Sequence, residues 1–570
     1  MKATPLFLVL GLMNSPQVLA AADVAEPAHA AQDSPQPMAH VPRSLPDWAR
    51  GAQLFEGLGS THRSVTTRSK TAQQYFDQGL RLMWAFNHDE STRSFARATQ
   101  LDPACALCFW GVALTVGPNY NLPFLVEERA RVAHAAMLEA ARLAPHASPV
   151  EQALIGALQK RYPTADPLDP PHMKPVLIAY SEAMGEVARR FPDDLDVQTL
   201  YAESLMNINA WKLWTLDGKA APGTERIVAT LESVLSRDPQ HPGANHYYVH
   251  AIEASPHPEK ALASAERIGG AMPAAGHLVH MPAHIMQRVG RYEDAAEANR
   301  RAAAADAAYN RLTTPPDYYP MGYTAHNFQF LAYATAMQGR AAETLQAVDA
   351  SRAAVSDAML GAMPGMDWYV AQMYTARVRF GRWDELIGMA APDARLPGLT
   401  GGYLHARTVA LAARGRVAEA KQSLQKLMDL ANSVPPDAGA GQNALRDVLA
   451  VAVPCAQARI AAATGQDDQA IAHLRAAAAA EDRLAYDEPK NWFFPVRHEL
   501  GALLLKTGKP AEAEAVYRDD LKQNPANGWS LFGLSQALKA QGRAPEAMAA
   551  SQAFDETWKQ ADITLIASAF

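Results

Sequence analysis

Histidines at regular spacings in the middle of the chain are the first residues that could do chemistry. Two stand four positions apart, at His246 and His250, so on a helix their imidazoles share one face. Three more follow at His277, His280 and His284, a spacing that again makes one stripe of a helix. Grouped imidazoles are ligands for zinc, copper, iron and nickel. The pattern therefore predicts a transition-metal site.

The two histidine groups are related by a constant distance along the chain. His246 precedes His280 by 34 residues, and His250 precedes His284 by the same number. With only 18 histidines among 570 residues, such matched positions are not expected by chance. A repeating unit of this length would bring the two groups together on neighbouring helices.

The same period recurs elsewhere, as small and aromatic residues at corresponding places. The clearest copy comprises Leu500, Gly501, Gly508, Ala513, Tyr517 and Pro525. The copy that follows it comprises Leu534, Gly542, Ala547 and Phe554. Glycines that mark the turns of further copies are Gly290, Gly339, Gly381, Gly415 and Gly465. Each copy indicates one helix, a tight turn and a second helix.

These copies resemble the tetratricopeptide repeat family over most of residues 70–560. The resemblance implies an all-α fold, a right-handed superhelical solenoid of about 11–12 helix pairs, in which the first helix of each pair lines a concave wall. Loops are inserted at residues 211–224 and 307–323. The stretch from His241 to Asn299 is similar to that of exported bacterial tetratricopeptide proteins with a histidine-rich core.

The concave wall that the resemblance implies gathers the candidate site residues, within residues 196–333. The candidate metal ligands are His246, His250, His277, His280, His284 and His326. His326 belongs to them because it precedes Gly339 by 13 residues, as His277 precedes Gly290. The candidate catalytic groups are Glu203, Glu253 and Tyr333.

Other residues near this patch have a less specific expectation. Gln329, Tyr247 and Tyr248 could support the ligands, contact a substrate or pack in the core. The stripe assigned to the core itself carries Val249, Ile252, Ala283 and Met286.

The histidines leave the metal and the reaction open. They could form one four-histidine centre or hold two adjacent ions with Glu203 or Glu253 as a bridge. Nitrogen ligands alone in an exported protein favour copper, whereas added carboxylates favour iron or a hydrolytic zinc site. We expect a transition-metal cofactor, copper before iron or zinc, and a metal-dependent oxidase or oxygenase before a hydrolase. A pocket for an acidic ligand is the alternative without metal.

Pro282 lies inside the predicted helix that carries His277, His280 and His284. An interior proline removes a backbone hydrogen bond and crowds the preceding turn. The helix should kink or restart there and re-aim His280 relative to His284.

The three cysteines give weaker signals. Cys105 and Cys108 could form a disulfide, a soft copper ligand during loading, or two small packing residues. Cys455 stands alone, and together with His405 and His498 it could mark a minor second patch.

The N-terminal residues and the net charge predict where the protein is located and which partners it binds. Residues 1–20 combine Lys2, an apolar stretch and a small-residue exit, which predicts a signal peptide and a periplasmic or secreted protein without a membrane span. Residues 21–50 are predicted to form a flexible leader, and residues 51–570 are predicted to form the solenoid. The net charge of −7 argues against nucleic acid. The expected partner is a small molecule or peptide in the concave groove, and an interaction scaffold that binds an envelope protein is the alternative function.

Overall fold

The computed structural model describes residues 41–123, 125, 127–313 and 319–570, and nearly all of its regular structure is helical. The helices up to residue 312 are α1 (Leu45–Ala49), α2 (Lys70–Trp84), α3 (His88–Leu101), α4 (Ala106–Val116), α5 (Glu127–Leu143), α6 (Pro149–Leu158), α7 (Pro170–Arg190), α8 (Leu195–Met206), α9 (Thr224–Arg237), α10 (Pro242–Glu253), α11 (Leu262–Ile268), α12 (Gly276–His280), α13 (Pro282–Arg288) and α14 (Tyr292–Leu312).

The second half of the chain continues in the same way. Its helices are α15 (Ala325–Met337), α16 (Ala341–Ala353), α17 (Asp357–Ala362), α18 (Asp367–Val370), α19 (Gln372–Arg379), α20 (Trp383–Gly388), α21 (Pro397–Ala413), α22 (Val417–Ser433), α23 (Leu445–Ala463), α24 (Asp467–Glu481), α25 (Val496–Lys506), α26 (Pro510–Gln523), α27 (Gly528–Ala540) and α28 (Ala544–Thr557). A small antiparallel hairpin of β1 (Gly439–Ala440) and β2 (Asn443–Ala444) lies between α22 and α23.

The helices pack as successive pairs. Most long helices contact the next one along the chain, as in α2 with α3 and α27 with α28, and several also contact the next but one, as in α21 with α23 and α25 with α27. Stacked pairs bury apolar faces that a single pair would leave in water. The predicted all-α solenoid of helix pairs is confirmed.

Glycine makes the turns within these pairs. Every turn glycine that the sequence singles out lies between two helices with a positive φ, from +64° at Gly381 to +81° at Gly290. That backbone region is accessible to glycine at little cost. Gly501 has a different role, because a Cβ there would lie 2.3 Å from the ring of Tyr517. The small-to-aromatic pattern in the repeat therefore records close helix packing.

The inner face of the helix pairs is filled by other parts of the chain. Tyr309 of α14 donates a hydrogen bond to Glu90 of α3 at 3.0 Å. Trp529 of α27 donates to the carbonyl of Ala336 in α15 at 2.7 Å. The loop between α24 and α25, residues 482–495, reaches the middle helices. The wall that carries the histidines is therefore covered by other segments of the chain. The expectation of an open groove, which the resemblance implies, is wrong at this place.

Residues 1–40, which hold the predicted signal peptide and most of the leader, lie outside the described residues. The last ten residues assigned to the leader are described, and they include α1 with a fully buried Trp48. The guanidinium of Arg129 lies 5.5 Å from the Trp48 ring. The packed chain thus begins before residue 51. In the part of the chain that is described, no helix is long and apolar enough to cross a bilayer.

Candidate metal centre

The six candidate histidines are carried by three consecutive first helices of the stack. α10 carries His246 and His250, the α12–α13 pair carries the next three, and α15 carries His326. The predicted break is confirmed, because α12 ends at His280 and α13 restarts at Pro282. His280 and His284 therefore lie on two short helices.

The structure divides the six histidines into two sets of three. We name site A the set of His246, His250 and His277, and site B the set of His280, His284 and His326. Within each set, one ring nitrogen of every member lies within 4.8 Å of the others. The sites are neighbours, since the rings of His250 and His284 are 5.5 Å apart. Three imidazoles are a sufficient protein ligand set for an ion that keeps an open position.

Each site is closed on one side by a phenylalanine. The ring of Phe86 lies 4.4 to 5.7 Å from the three imidazoles of site A. The ring of Phe330 lies 4.6 to 4.7 Å from those of site B. Both phenylalanines are buried, so they keep water away from that side of each set. Phe86 has a φ of +54°, a conformation that is rare for a bulky residue and that gathers at functional sites.

Hydrogen bonds fix the ring nitrogens of site A. Nδ1 of His246 donates to the carbonyl of Trp84 at 2.6 Å, and Nδ1 of His250 donates to Glu253 at 2.8 Å. Because both acceptors require a proton on Nδ1, both Nε2 atoms present a lone pair. Among the described residues, these Nε2 atoms and both nitrogens of His277 find no hydrogen-bond partner.

Site B is held in the same way. Nδ1 of His280 donates to Oδ1 of Asn299 at 2.7 Å, and the Asn299 amide is oriented by its own donation to the carbonyl of Ala295. Nδ1 of His284 donates to Glu253 at 2.5 Å. The Nε2 atoms of His280 and His284 then meet at 2.7 Å. Glu253 thus orients one imidazole of each site, as carboxylates behind metal-bound histidines do.

Burial lowers the pKa of most of these imidazoles. The pKa of His250 and that of His326 both fall to about 3, because of burial and then the charge of His284. Burial and neighbouring histidines also lower the pKa of His246, His277 and His280. Rings that stay neutral at neutral pH have a lone pair for a metal ion.

His284 differs because two carboxylates face it. Burial alone lowers the pKa of His284, but Glu488 and Glu253 outweigh it and raise this pKa to about 10. Oε1 of Glu488 lies 3.2 Å from Nδ1 of His284. Burial and then the charge of Glu253 raise the pKa of Glu488 to about 7. The four side chains His250, Glu253, His284 and Glu488 also form a possible mixed ligand group, but its Nδ1 atoms already donate to Glu253.

A cavity of about 190 Å³ borders both sites. His250 and His277 of site A and His284 and His326 of site B line it, together with Gln329, which the sequence places there as well. An apolar cavity of about 150 Å³ holds a benzene molecule, so this space suits a ligand of similar size. Each set therefore offers three nitrogen ligands that could hold one ion, and both sets border the same cavity.

The histidines are more deeply buried than an exposed groove allows. His246, His280 and His284 have no exposed surface, and His250 and His277 expose 2%. The reason is that other segments cover α10: Phe86 packs against both of its imidazoles, and Tyr486 of the loop 482–495 contacts Glu253 at its end. His326 is half-buried.

Two of the three candidate catalytic groups lie elsewhere. Glu203 is buried beside Asn207, which donates to it at 2.5 Å, and its charge interacts with Arg161. The hydroxyl of Tyr333 donates to Asn524 at 3.0 Å. Only Glu253 is at the centre, behind the imidazoles rather than between them.

The two predicted tyrosines next to the ligands differ in their surroundings. The ring of Tyr247 packs 5.6 Å from that of His246 and 5.7 Å from that of Trp84. Tyr248 is directed away and donates to Glu232 at 2.7 Å.

The sequence analysis does not identify three residues that contact the histidines, namely Phe330, Phe86 and Glu488. Phe330 follows His326 by one helical turn, which is a usable signal. Phe86 and Glu488 lie in loops without periodicity, so no sequence pattern connects them with the histidines.

Two of the three cysteines are joined and the third is free. Cys105 and Cys108 form a disulfide at the start of α4, which selects one of the three alternatives. Cys455 is a buried free thiol and lines a small cavity of about 40 Å³ with His405. His498 does not join them, because its ring bonds to Asp520 at 2.9 Å and accepts from Arg379 at 2.7 Å.

No known protein family matches this chain, and no curated protein matches it either. Solved structures with similar folds include the human IFIT1 dimer with m7Gppp-AAAA, at 11% identity over 91% of this chain and 95% of that chain, with a TM-score of 0.30. Two others are the APC/C hetero-tetramer Cut9-Hcn1 (12% identity, 88% and 79%, TM-score 0.29) and the P58(IPK) TPR domain (11% identity, 86% and 97%, TM-score 0.20). At these identities the likeness concerns the helical-repeat fold alone.

Proposed function

We propose that this protein binds a pair of transition-metal ions, one in site A and one in site B, and uses them to oxidise a small molecule in the adjoining cavity. The observation that carries the proposal is the set of unpartnered buried imidazole nitrogens in site A. Leaving a buried polar atom without a partner costs about 1–3 kcal/mol. Several such atoms converging on one point are best explained by an ion that satisfies them together.

Copper is the metal that this ligand set favours. Both sites offer imidazole nitrogens, and the carboxylates of Glu253 and Glu488 stand behind the rings at Nδ1. Imidazole suits copper, zinc, iron and nickel, whereas iron sites for oxygen chemistry typically include a carboxylate ligand. Two neighbouring copper ions would supply two electrons to oxygen or take two from a substrate. Zinc in the same places would supply hydrolysis instead.

A periplasmic or secreted location belongs to the same proposal. The predicted signal peptide supports it, and so does the Cys105–Cys108 disulfide, because disulfides persist in oxidising compartments. Such a compartment is also where copper and dioxygen are both accessible.

The test is metal analysis of the purified protein after copper loading and removal of excess metal. We expect about two ions per wild-type chain. The His246/His250/His280/His284→Ala variant should retain none at these sites. A His405→Ala variant is the matched control, since this histidine is also buried but lies in the other cavity. Equal and negligible metal in the wild type and the fourfold variant would refute the proposal.

Oxygen consumption with small reducing substrates then separates the reactions. Uptake that depends on copper and on the four histidines supports an oxidase. Bound metal without any oxygen uptake would support metal binding but would contradict the oxidase activity. An interaction scaffold is the alternative function, and absence of metal together with capture of an envelope protein would favour it. The burial of five of the six histidines, all except His326, speaks against their being its docking surface.

A further inference from the structure

A tight turn places two methionines beside the histidine sites. The turn comprises Met363, Pro364, Gly365 and Met366, and the amide of Met366 donates to the carbonyl of Met363 at 3.2 Å. Proline in the second place and a glycine with a φ of +91° in the third are the signature of a type II turn. The first and last residues of such a turn have Cα atoms less than about 7 Å apart. The two thioethers therefore start from neighbouring points of the backbone.

The turn is held in place by the hairpin of β1 and β2. The amide of Gly441 donates to the carbonyl of Gly365 at 3.1 Å. A Cβ on Gly365 would lie 3.0 Å from the backbone of Gly439. The chain then enters α18, where the Asp367 carboxylate accepts from the amides of Gly398 and Leu399 at 2.6 and 3.0 Å. The two methionines are thus mounted on a backbone fixed from both sides.

Both methionine side chains line the cavity that borders sites A and B. Met363 and Met366 are half-buried, whereas His250, His277 and His284 in the same cavity are almost fully buried. Met363 and Met366 are therefore more exposed than the imidazoles of site A and His284, whereas His326 of site B is half-buried as they are. The two thioethers are thus more accessible to an ion from solvent than the nitrogens of site A are.

We propose that Met363 and Met366 form a two-thioether site that captures Cu(I) and passes it to the histidines. Soft thioether sulfur selects Cu(I) over Zn(II) and Cu(II). The two methionines would therefore make the chain selective for Cu(I), which imidazole ligands alone would not do. No electron is transferred in this step, because Cu(I) moves from sulfur to nitrogen ligands without a change in oxidation state. The delivery step depends on the proposed function, whereas the thioether site does not.

The probe for the thioether site is Ag(I), which binds the same soft ligands as Cu(I) and is inert to air. The full chain with ¹³C-methyl-labelled methionine is titrated with Ag(I), and the two resonances are assigned by their absence from single Met→Leu variants. We expect these two methyl resonances to shift together in the wild type. The Met363→Leu/Met366→Leu double variant should bind Ag(I) at least about tenfold more weakly. Leucine preserves the size and the apolar character of the packing.

Met359→Leu is the matched control. Met359 lies on the preceding helix α17, outside the residues that line the cavity, and its replacement should leave Ag(I) binding unchanged. If the two methyl resonances do not move with Ag(I), or if the double variant binds as tightly as the wild type, the methionines only pack and the proposal is wrong.

Delivery is tested by anaerobic loading from a Cu(I)–bicinchoninate complex. In the double variant, copper should reach the histidines at least about tenfold more slowly but to the same final content. An unchanged rate would overturn delivery. Failure of the proposed function looks different: the His246/His250/His280/His284→Ala variant would then load like the wild type, while the methionine methyl shifts with Ag(I) would persist.

Discussion

His280 and His284 face each other through their Nε2 atoms at 2.7 Å, across the break at Pro282. Each Nδ1 atom already donates to an oxygen, to Asn299 in one ring and to Glu253 in the other. Two lone pairs at this distance need a positive charge between them. A proton on His284 meets that need, and a metal ion that displaces the proton meets it for both rings. The pair is therefore built for a cation, and its supports can be tested separately.

Glu253→Gln should weaken both sites, because this carboxylate accepts a hydrogen bond from one ring of each. The amide has only one oxygen, so at least one Nδ1–H loses its acceptor and that ring loses its orientation. We expect copper affinity to fall about 10- to 100-fold, measured by competition with a chelator. Glu259→Gln is the control, since Glu259 pairs with the exposed His257. Unchanged affinity in Glu253→Gln would show that Glu253 does not orient the ligands.

Pro282→Ala should affect site B more than site A. Alanine restores the missing amide donor, so α12 and α13 can join into one regular helix and His280 and His284 turn relative to each other. We expect the copper ion proposed for site B to bind at least about tenfold more weakly, with little change in thermal stability. Pro454→Ala, at an interior proline of α23, should leave both ions unaffected. Two ions held with wild-type affinity in Pro282→Ala would contradict the role given to the break.

His405 should make the stability depend on pH. Burial lowers the pKa of His405 to about 4 in the folded chain, against 6.5 for the ordinary residue. Between these values the unfolded chain binds a proton that the folded chain does not. The stabilisation that neutral, buried His405 adds to the free energy of unfolding is therefore fully present above pH 6.5, and it is lost as the pH falls toward 4. Its size is on the order of 3 kcal/mol.

The measurement is denaturant unfolding of the metal-free protein at pH 7 and pH 4.5. A His405→Leu variant should lose less stability between the two pH values than the wild type does. A variant of the exposed His146, His146→Leu, should follow the wild type. Parallel losses in wild type and His405→Leu would mean that His405 is not the group responsible.

Thiol counting tests the disulfide. The chain contains 3 cysteines, of which Cys105 and Cys108 are joined and Cys455 is free. The denatured, unreduced protein should therefore show one reactive thiol per chain, and the reduced protein should show three. Protein isolated from the periplasm is the relevant sample. Three thiols without reduction would contradict both the disulfide and its support for export.

Much of the fold follows from residues that act locally. The turn glycines, the spacing of Gly501 from Tyr517 and the break at Pro282 each operate within one helix pair, and each lies where the pattern predicts. Glu203 marks the limit of this reasoning. Glu203 follows Pro192 by eleven residues, as His250 follows Pro239. Its side chain nevertheless lies beside Asn207 and interacts with the charge of Arg161. The same place in a repeat meets different neighbours when the units stack.

The sequence by itself determined that the chain is a stack of helix pairs and that six histidines occupy matched places in consecutive units, because helix periodicity and repeat length are local properties. Only the tertiary structure decided that these histidines form two sets of three, that Nε2 is the free nitrogen of His246 and His250, and that Glu488 and Phe86 join them. Those features depend on side-chain directions and on loops from distant parts of the chain. No spacing in the sequence encodes where such segments meet.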